Sequence, residues 1–364
     1  MKYVTLFLPT ENIHLIKDVG MIPYIMYKHF GYESSIACYK NGEYSYLDKE
    51  VKGLKLDFIK KHTNIDKINA LIYILNNATK IDILQLFHFS FTSLILGFFY
   101  KCINKKGKSY LKLDANETIK DININGNLKN KIKLILLKKF DLISVETLDL
   151  YKYLNKHWKI DVKYIPNGFY DYGKKEIIKY EQKENIICTV GRIGTKEKAT
   201  EILLEAFKLA SIKLKNWKLK IIGPIEEEFK KYIHNFFNVN PELKEKIIFT
   251  GPIYDRNLLK KEYEKAKIFC LTSRWESFGL VYVEAMKSGC FIISSDIVPA
   301  RDMTRNGLGC LFPVDDVKKL SECLIETCND EEKLKCNTLE IQKFAYKNFY
   351  WVDICNKINE FIKS

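Results

Sequence analysis

Short apolar runs alternate with longer amphipathic segments along the first 170 residues of the chain. A run of roughly four to eight apolar residues predicts a buried strand, and apolar residues at helical spacing predict a helix. The predicted strands are Tyr3–Leu8, Ser35–Tyr39, Ile81–Phe87, Ser109–Leu113 and Leu142–Val145, and the predicted helices are Met21–His29, Phe91–Tyr100 and Lys129–Lys139. Repeated strand–helix units favour a parallel, doubly wound α/β sheet.

A second series of the same kind follows a lysine-rich connector at Lys174–Glu184. Its predicted strands are Ile186–Val190, Leu219–Gly223, Ile247–Gly251, Ile268–Leu271 and Phe291–Ser294, and its predicted helices are Thr200–Leu214, Val281–Lys287 and a final Phe349–Ile362. A chain of 364 residues accommodates two such domains, which we place at residues 1–172 and 173–345. Because open α/β sheets bind ligands outside the carboxyl ends of their strands, two of them predict a cleft between domains.

The composition is that of a globular protein, with 47% hydrophobic and 13% aromatic residues. Ten scattered cysteines include no C-x2-C pair, so we expect reduced thiols in a cytoplasmic protein and no metal site. The first nine residues predict a strand rather than a secretory signal. The longest apolar stretch, Phe87–Tyr100, has fourteen residues, which is too short to span a bilayer.

The net charge is +14, from 59 basic and 45 acidic residues. Such a surface attracts nucleic acid, acidic lipid headgroups or phosphorylated substrates. No nucleic-acid-binding module is recognisable, so we expect no nucleic-acid partner. Two interpretations stay open: a solvated lysine-rich surface, and attraction to an anionic membrane.

The segment Ser273–Met286 places two carboxylates, Glu276 and Glu284, eight positions apart across a glycine turn. An apolar strand precedes this turn and a helix follows it, an arrangement that presents backbone N–H groups to an anion. A nucleotide sugar needs amides for its phosphates, one carboxylate for the sugar hydroxyls and another for the ribose diol. The alternative is a structural turn with two surface glutamates.

This segment, S-R-W-E-S-F-G-L-V-Y-V-E-A-M, resembles the E-x7-E motif of the retaining glycosyltransferases of family 4, which have the GT-B fold. The resemblance implies two Rossmann-like domains facing a cleft, with a C-terminal helix at residues 346–364 crossing back onto the first domain. It also implies transfer of a sugar from a nucleotide-diphosphate sugar with retention at the anomeric carbon, without a metal or another cofactor.

A second segment, Val190–Glu201, is similar to the family's basic loop, with Arg192 and Lys198 at the positions that contact the donor pyrophosphate. Cleavage of a sugar–phosphate bond leaves a diphosphate whose growing charge needs fixed cations and amides. Lys196 competes with Lys198 for this role, since spacing alone does not separate them. Ala199 stands where the family usually has glycine.

The resemblance also assigns the remaining donor-side residues. Glu276 orients the donor sugar and Glu284 holds the ribose, while the amides around Phe278, Gly279 and Leu280 assist the phosphates. Ile253 belongs to the loop that would cradle the nucleobase, and Gly20 is the glycine of the first domain that could approach a phosphate. Asp302 follows the strand after the motif helix, at a polar site of the family.

Two residues of the first domain are candidates for contact with the acceptor. Asp114 occupies the place of the family's histidine, where it either polarises the acceptor or caps a turn. His88 follows another strand end, where it either touches substrate or is a satisfied core residue.

The segment Lys129–Phe140 mixes five leucines or isoleucines with five lysines. A basic amphipathic helix of this kind lies on an anionic membrane or turns its apolar face to the domain core. In some family relatives that use lipid-linked acceptors the corresponding region contacts membrane.

We therefore predict a retaining, metal-independent glycosyltransferase of cell-surface polysaccharide or glycoconjugate synthesis, with a glycan or lipid-linked acceptor. It would be cytoplasmic, either free or peripheral on the inner face of the membrane. The alternatives are a nucleotide-sugar epimerase or sugar phosphorylase of the same fold, and an inert partner subunit. An inert subunit would lack the phosphate cations or the glutamates, whereas this chain has all four residues.

Overall fold

A computed structural model describes residues 1–124 and 126–363 of the chain. The chain forms two compact units. The first contains residues 1–170 together with the C-terminal segment from Phe349, and the second is Asp171–Asn348.

The described part of the first unit contains a seven-stranded parallel sheet with the order β3-β2-β1-β4-β5-β6-β7. Its strands are β1 Lys2–Leu6, β2 Glu33–Cys38, β3 Lys55–Phe58, β4 Ile83–Phe87, β5 Lys108–Lys112, β6 Leu142–Val145 and β7 Val162–Tyr164. Its first six α-helices are α1 Asp18–Phe30, α2 Ser45–Lys49, α3 Asp66–Asn77, α4 Phe91–Ile103, α5 Leu128–Leu137 and α6 Leu148–His157. The chain order reverses between β1 and β4, so ligand-binding loops are expected to follow these two strands.

The second unit contains, within its residues 171–348, a six-stranded parallel sheet with the order β10-β9-β8-β11-β12-β13. Its strands are β8 Glu184–Val190, β9 Lys218–Ile222, β10 Ile247–Gly251, β11 Ala266–Leu271, β12 Phe291–Ser295 and β13 Gly309–Phe312. The helices of this unit are α7 Thr200–Ala210, α8 Glu227–Val239, α9 Arg256–Lys265, α10 Leu280–Lys287, α11 Val298–Thr304, α12 Val317–Asn329 and α13 Glu331–Phe349. Here the chain order reverses between β8 and β11. The last helix of the chain, α14 Trp351–Lys363, belongs to the first unit.

The last helix, α14, packs against α1 of the first unit, as predicted. Trp351, Ile354 and Ile358 are buried in the same apolar cluster as the core residues of α1. The Tyr32 hydroxyl, just after α1, donates a hydrogen bond to Asn359 Oδ1 over 2.7 Å. The predicted helix Phe349–Ile362 is corrected at its start, because Phe349 ends α13 and α14 begins at Trp351.

The two parallel α/β sheets confirm the predicted fold class. Central strands such as β4 and β12 are buried along their whole length because helices cover both faces of a doubly wound sheet. No helix within residues 1–124 and 126–363 is long and apolar enough to cross a membrane.

Candidate active site

Two loops of the second unit meet where β8 and β11 lie side by side. The first, residues 191–199, joins β8 to α7, and the second, residues 272–279, joins β11 to α10. Because both strands are parallel and central, both loops leave the same edge of the sheet at the reversal of chain order. This is the place where an open α/β sheet presents a ligand site.

The centre of the site is an ion pair between Lys198 and Glu276. The Lys198 Nζ donates to Glu276 Oε1, and the Ser273 hydroxyl donates to the same oxygen over 2.7 Å. The Glu276 side chain is only 9% exposed. The structure thus brings together two residues that stand 78 positions apart and that the sequence assigned to different roles.

Glu197 links the two predicted phosphate cations and was missed in the sequence. Its carboxylate accepts from Arg192 Nη2 over 2.7 Å and lies 3.0 Å from Lys198 Nζ. The Arg192 side chain is 61% exposed, so its guanidinium is accessible to an anion. The two cations, Arg192 and Lys198, thus face two carboxylates, Glu197 and Glu276. The charges of these four side chains balance without a ligand.

Lys196 and Lys198 are placed differently. Lys196 is exposed, and its backbone carbonyl accepts from Arg274 Nη1 over 2.6 Å. Lys198 points into the ion-pair cluster with Glu197 and Glu276. The geometry therefore favours Lys198 as the residue that faces the centre of the site.

Arg274 ties the two loops together, a role that the sequence did not reveal. Its side chain donates to Asp315 and Glu201, each over 2.8 Å, and its backbone N–H donates to the Glu197 carbonyl over 2.8 Å. The Thr272 hydroxyl adds a hydrogen bond to the Lys198 carbonyl over 2.9 Å. These cross-links hold the loop of Glu276 against the loop of Lys198.

The turn before α10 requires glycine at position 279. Gly279 has φ 76°, and a Cβ there would lie 2.8 Å from the Tyr282 ring. Phe278 is buried beside it, and Leu280 is the first residue of the helix. The first amides of a helix have no partner within it, so this turn presents N–H groups at the sheet edge.

Glu284 faces the neighbouring helix α9. One carboxylate oxygen accepts from Arg256 Nη2 over 2.7 Å, and the other accepts from the Tyr263 hydroxyl over 3.2 Å. Arg256 and Tyr263 were not predicted from the sequence, because only the packing of α9 on α10 brings them to Glu284. A ribose diol would have to share or replace these partners.

Ile253 and Asp302 lie outside the two loops that form the ion pair. Ile253 follows β10, the edge strand, which β9 separates from β8. Asp302 is buried in α11, the helix that follows β12.

In the first unit, His88 and Asp114 stand at the ends of the adjacent strands β4 and β5. Their φ angles are 66° and 41°, in the left-handed region that non-glycine residues rarely adopt. His88 Nδ1 lies 3.7 Å from Asp114 Oδ2. Two strained residues at neighbouring strand ends are typical of a functional site.

A buried charge cluster, which the sequence did not predict, supports the Asp114 turn. Glu146 accepts from the backbone N–H groups of Asp114 and Ala115, each over 3.2 Å, and pairs with Lys112 at 2.8 Å. Asp18 Oδ2 lies 4.0 Å from Lys112 Nζ and has no hydrogen bond among the described residues. Burial raises the pKa of Asp18 to about 7, whereas Glu146 raises the pKa of Lys112 although burial acts to lower it.

Gly20 lies inside α1 rather than in a loop. A Cβ at this position would come within 2.2 Å of the Leu15 carbonyl oxygen, and the Gly20 N–H donates to the Lys17 carbonyl. Contact with the preceding turn therefore already explains why this residue is glycine. Phosphate contact by Gly20 stays a prediction.

The structure contains no group of three or more histidine, cysteine or carboxylate side chains arranged for a metal ion in the ranges it describes, residues 1–124 and 126–363. The ion pairs of the site instead use lysine and arginine. Fixed cations and helix amides are one of the two common means of stabilising a departing phosphate, the other being a metal.

The chain is similar in sequence to several known proteins. Residues 174–339 match the family described as glycosyl transferases group 1. An uncharacterised 41.2 kDa protein of the cps region of Klebsiella pneumoniae is 28% identical over 332 residues, 84% of this chain and 86% of that protein. The capsular polysaccharide biosynthesis glycosyltransferase CapM of Staphylococcus aureus is 26% identical over 185 residues, but the chain spans only 47% of its length.

Solved structures show the same fold. A glycosyltransferase from Rickettsia africae superposes with a TM-score of 0.74 at 18% identity, over 100% of this chain and 98% of that one. Alr3699/HepE of Anabaena, in complex with UDP, superposes with a TM-score of 0.73 at 16% identity over the whole of both chains. Together, these comparisons show that residues 174–339 are similar to group 1 glycosyl transferases and that the chain shares its fold with a solved glycosyltransferase structure.

Proposed function

We propose that the chain is a retaining glycosyltransferase of family 4 type that uses a nucleotide-diphosphate sugar. The observation that carries this proposal is the Lys198–Glu276 ion pair at the reversal of chain order in the second sheet, with Arg192 exposed beside it. The Anabaena protein with the same fold is in complex with UDP, which supports a nucleoside diphosphate as the ligand class.

The two cations would neutralise the leaving diphosphate. Arg192 and Lys198 are held by Glu197 and Glu276 in this structure, and a diphosphate carries enough negative charge to compete with Glu197 for both. The amides at Gly279 and Leu280 would add fixed dipoles aimed at the same oxygens. Glu276 would then remain to hold hydroxyl groups of the donor sugar.

In the transfer step, the bond from the anomeric carbon to the phosphate oxygen breaks, and a bond to the acceptor oxygen forms on the same face. The acceptor proton goes to the departing diphosphate, so this step needs no protein base and no metal. Asp114 would polarise the acceptor hydroxyl, with His88 beside it. Glu284 would hold the ribose after exchanging one of its contacts with Arg256 or Tyr263. Phe278, Ile253, Gly20 and Asp302 complete the proposed donor-binding set.

The names of the relatives suggest the process. CapM of Staphylococcus is named as a glycosyltransferase of capsular polysaccharide biosynthesis, and the Klebsiella relative is a protein of the cps region. On these names we assign this chain to cell-surface polysaccharide or glycoconjugate synthesis. The acceptor would then be a growing glycan or a lipid-linked sugar.

The helix α5 supports contact with an anionic membrane. Its residues Leu128, Ile132 and Ile135 form one stripe at helical spacing and are exposed, with Leu128 at 74% and Ile135 at 59%. Of the residues of this helix, only Leu137 is buried. The apolar face is therefore turned mainly to solvent, beside the lysines that would meet lipid headgroups.

A donor screen tests the proposed activity. Purified protein is incubated with UDP-, GDP- and ADP-sugars, and release of the nucleoside diphosphate is measured for the wild type, Glu276→Gln and the exposed control Glu242→Gln. We expect one donor class to be hydrolysed and Glu276→Gln to lose about a hundredfold in rate. Equal rates for all three proteins, or no hydrolysis and no binding of any donor, would overturn the proposal.

A further inference from the structure

The first unit contains a cavity of about 640 Å³ between α3 and α4. It lies at the ends of β1 and β4, where the chain order of the first sheet reverses. Bound organic molecules typically occupy cavities of roughly 300 to 1,000 Å³ at such points. All of its lining residues belong to this unit.

The walls of the cavity are mainly hydrocarbon. Leu6, Leu8, Leu86, Phe87 and Leu96 line it. A sugar carries a hydroxyl on nearly every carbon, and burying those hydroxyls without hydrogen-bonding partners would cost free energy. These walls therefore suit an apolar chain better than a glycan.

Polar residues also border the cavity and define how a bound molecule would be oriented. His88 belongs to the lining, and its Nδ1 lies 3.7 Å from Asp114 Oδ2. Lys67 at the start of α3 supplies a cation, with Asp66 beside it. An amphiphile with its chain inside would place its polar head next to these groups.

The apolar lining continues onto the outer surface. Ile65, which lines the cavity, and the neighbouring residues Ile68 and Phe91 are large apolar side chains that remain exposed. Helix α4 packs against both α3 and α5. Clustered exposed apolar residues mark binding surfaces more often than single ones do.

We propose that this cavity holds the hydrocarbon chain of a lipid-linked acceptor and presents its head group to His88 and Asp114. The inference rests on the proposed function and names the class of its acceptor, which is an isoprenoid or acyl phosphate carrier rather than a water-soluble glycan. The apolar lining would hold the hydrocarbon chain, and Lys67 in the same lining is a cation available to its phosphate.

Binding of farnesyl phosphate, an isoprenoid monophosphate, tests the inference. Titration calorimetry would be done on the full chain below the critical micelle concentration and without vesicles. The variant Thr92→Trp adds a large ring at the cavity lining, and Thr118→Trp adds the same ring at an exposed position outside it. We expect saturable binding by the wild type and Thr118→Trp, and binding at least tenfold weaker by Thr92→Trp.

Competition experiments distinguish binding of the hydrocarbon chain from binding of the phosphate group. Farnesol should displace farnesyl phosphate, whereas inorganic phosphate should not. Displacement by inorganic phosphate, equal binding by Thr92→Trp, or no saturable binding would each overturn the inference. Circular dichroism and the thermal transition of Thr92→Trp establish that it folds, and Ala70→Val, a smaller change in the same lining, provides a second test.

Stabilisation by nucleoside diphosphates is measured on the same samples. If the wild type binds a nucleoside diphosphate but not farnesyl phosphate, the lipid-linked acceptor is wrong while the proposed transferase stands. If it binds neither, both fail.

Discussion

Lys198 and Lys196 compete for one role in the sequence, and their side-chain contacts separate them. Lys198 pairs with the nearly buried Glu276, whereas Lys196 is exposed and takes part in the site through its carbonyl. Lys198→Ala should therefore lower donor turnover by on the order of a hundredfold or more, because it removes a fixed charge beside the departing diphosphate.

Lys196→Ala is the matched control and should retain nearly full turnover. Both variants would be measured as diphosphate release from the donor found in the screen. An equal loss in both, or a larger loss at Lys196, would show that the other lysine contacts the phosphate.

Ala199 adopts a conformation that glycine normally takes. Its φ and ψ are both 46°, in the left-handed region, and it is fully buried. That conformation costs a residue with a Cβ about 1–2 kcal/mol, while the buried methyl contributes roughly 0.8 kcal/mol. Ala199→Gly should therefore change the free energy of unfolding by less than about 1 kcal/mol.

Ala206, buried within α7, provides the comparison. Glycine there loses a methyl and about 1 kcal/mol of helix propensity, so Ala206→Gly should cost about 2 kcal/mol. Urea unfolding measures both. Equal losses would mean that the conformation at position 199 carries no strain.

Asp18 gives a predicted pH dependence. Its folded pKa of about 7 lies above the ordinary value of 3.8 because the carboxyl is buried. The folded protein therefore holds a proton that the unfolded chain has already lost. The resulting stability is fully present below about pH 3.8 and is lost as the pH rises through about 7.

Asp18→Asn, which stays neutral, should remove this loss. The difference in unfolding free energy between the variant and the wild type should rise by a few kcal/mol, roughly, from pH 5 to pH 8. The exposed Asp48→Asn should show no such trend in urea unfolding at the two pH values. A flat difference for Asp18→Asn would mean that Asp18 is ionised throughout this range.

At the scale of elements, buried strands were predictable and several helices were not. Runs such as Ile83–Phe87 and Phe291–Ser295 are mostly apolar and buried throughout because both sheet faces are covered. The missed strand β3 is four residues long and partly exposed, so its pattern is weak. The missed helices α8 and α9 are amphipathic but rich in charge, with few buried residues.

The site was predictable only where its residues are close in sequence. Glu276, Gly279 and Glu284 belong to one strand–turn–helix unit, so their spacing indicated a site. Glu197, Arg256 and Arg274 act through partners 5 to 78 residues away. Such contacts depend on which strands are neighbours, which a single sequence does not reveal.

Helix α5 is predicted to bind anionic membranes. Lys131, Lys133, Lys138 and Lys139 lie on or just after a helix whose apolar stripe is exposed. Each lysine near an anionic surface adds about 1 kcal/mol, screened within a Debye length. Replacing all four by glutamine should release the protein from anionic vesicles in flotation assays.

A matched variant distinguishes vesicle binding through helix α5 from vesicle binding through net charge alone. Glutamine at the exposed positions Lys215, Lys218, Lys231 and Lys244 removes the same charge from the second unit and should leave flotation nearly unchanged. Donor hydrolysis should persist in both variants. Wild-type protein that stays in solution at low salt would make α5 an ordinary surface helix.

At the scale of the whole molecule, donor binding is expected to stabilise the fold without a metal. The proposed phosphate contacts are the side chains of Arg192 and Lys198 and the amides before α10, all held by protein groups. A ligand that binds only the folded state adds about 2.7 kcal/mol at a hundred times its Kd. A nucleoside diphosphate should therefore raise the thermal midpoint of the chain.

The decisive comparison is made in EDTA, with and without added magnesium. We expect the nucleoside diphosphate to stabilise the wild type equally in both, and the shift to shrink strongly in a variant carrying Arg192→Ala and Lys198→Ala. The corresponding nucleoside lacks the phosphates and should give a much smaller shift, because the charged contacts are absent. If stabilisation vanishes in EDTA for every diphosphate tested, a metal rather than these two residues neutralises the phosphate charge.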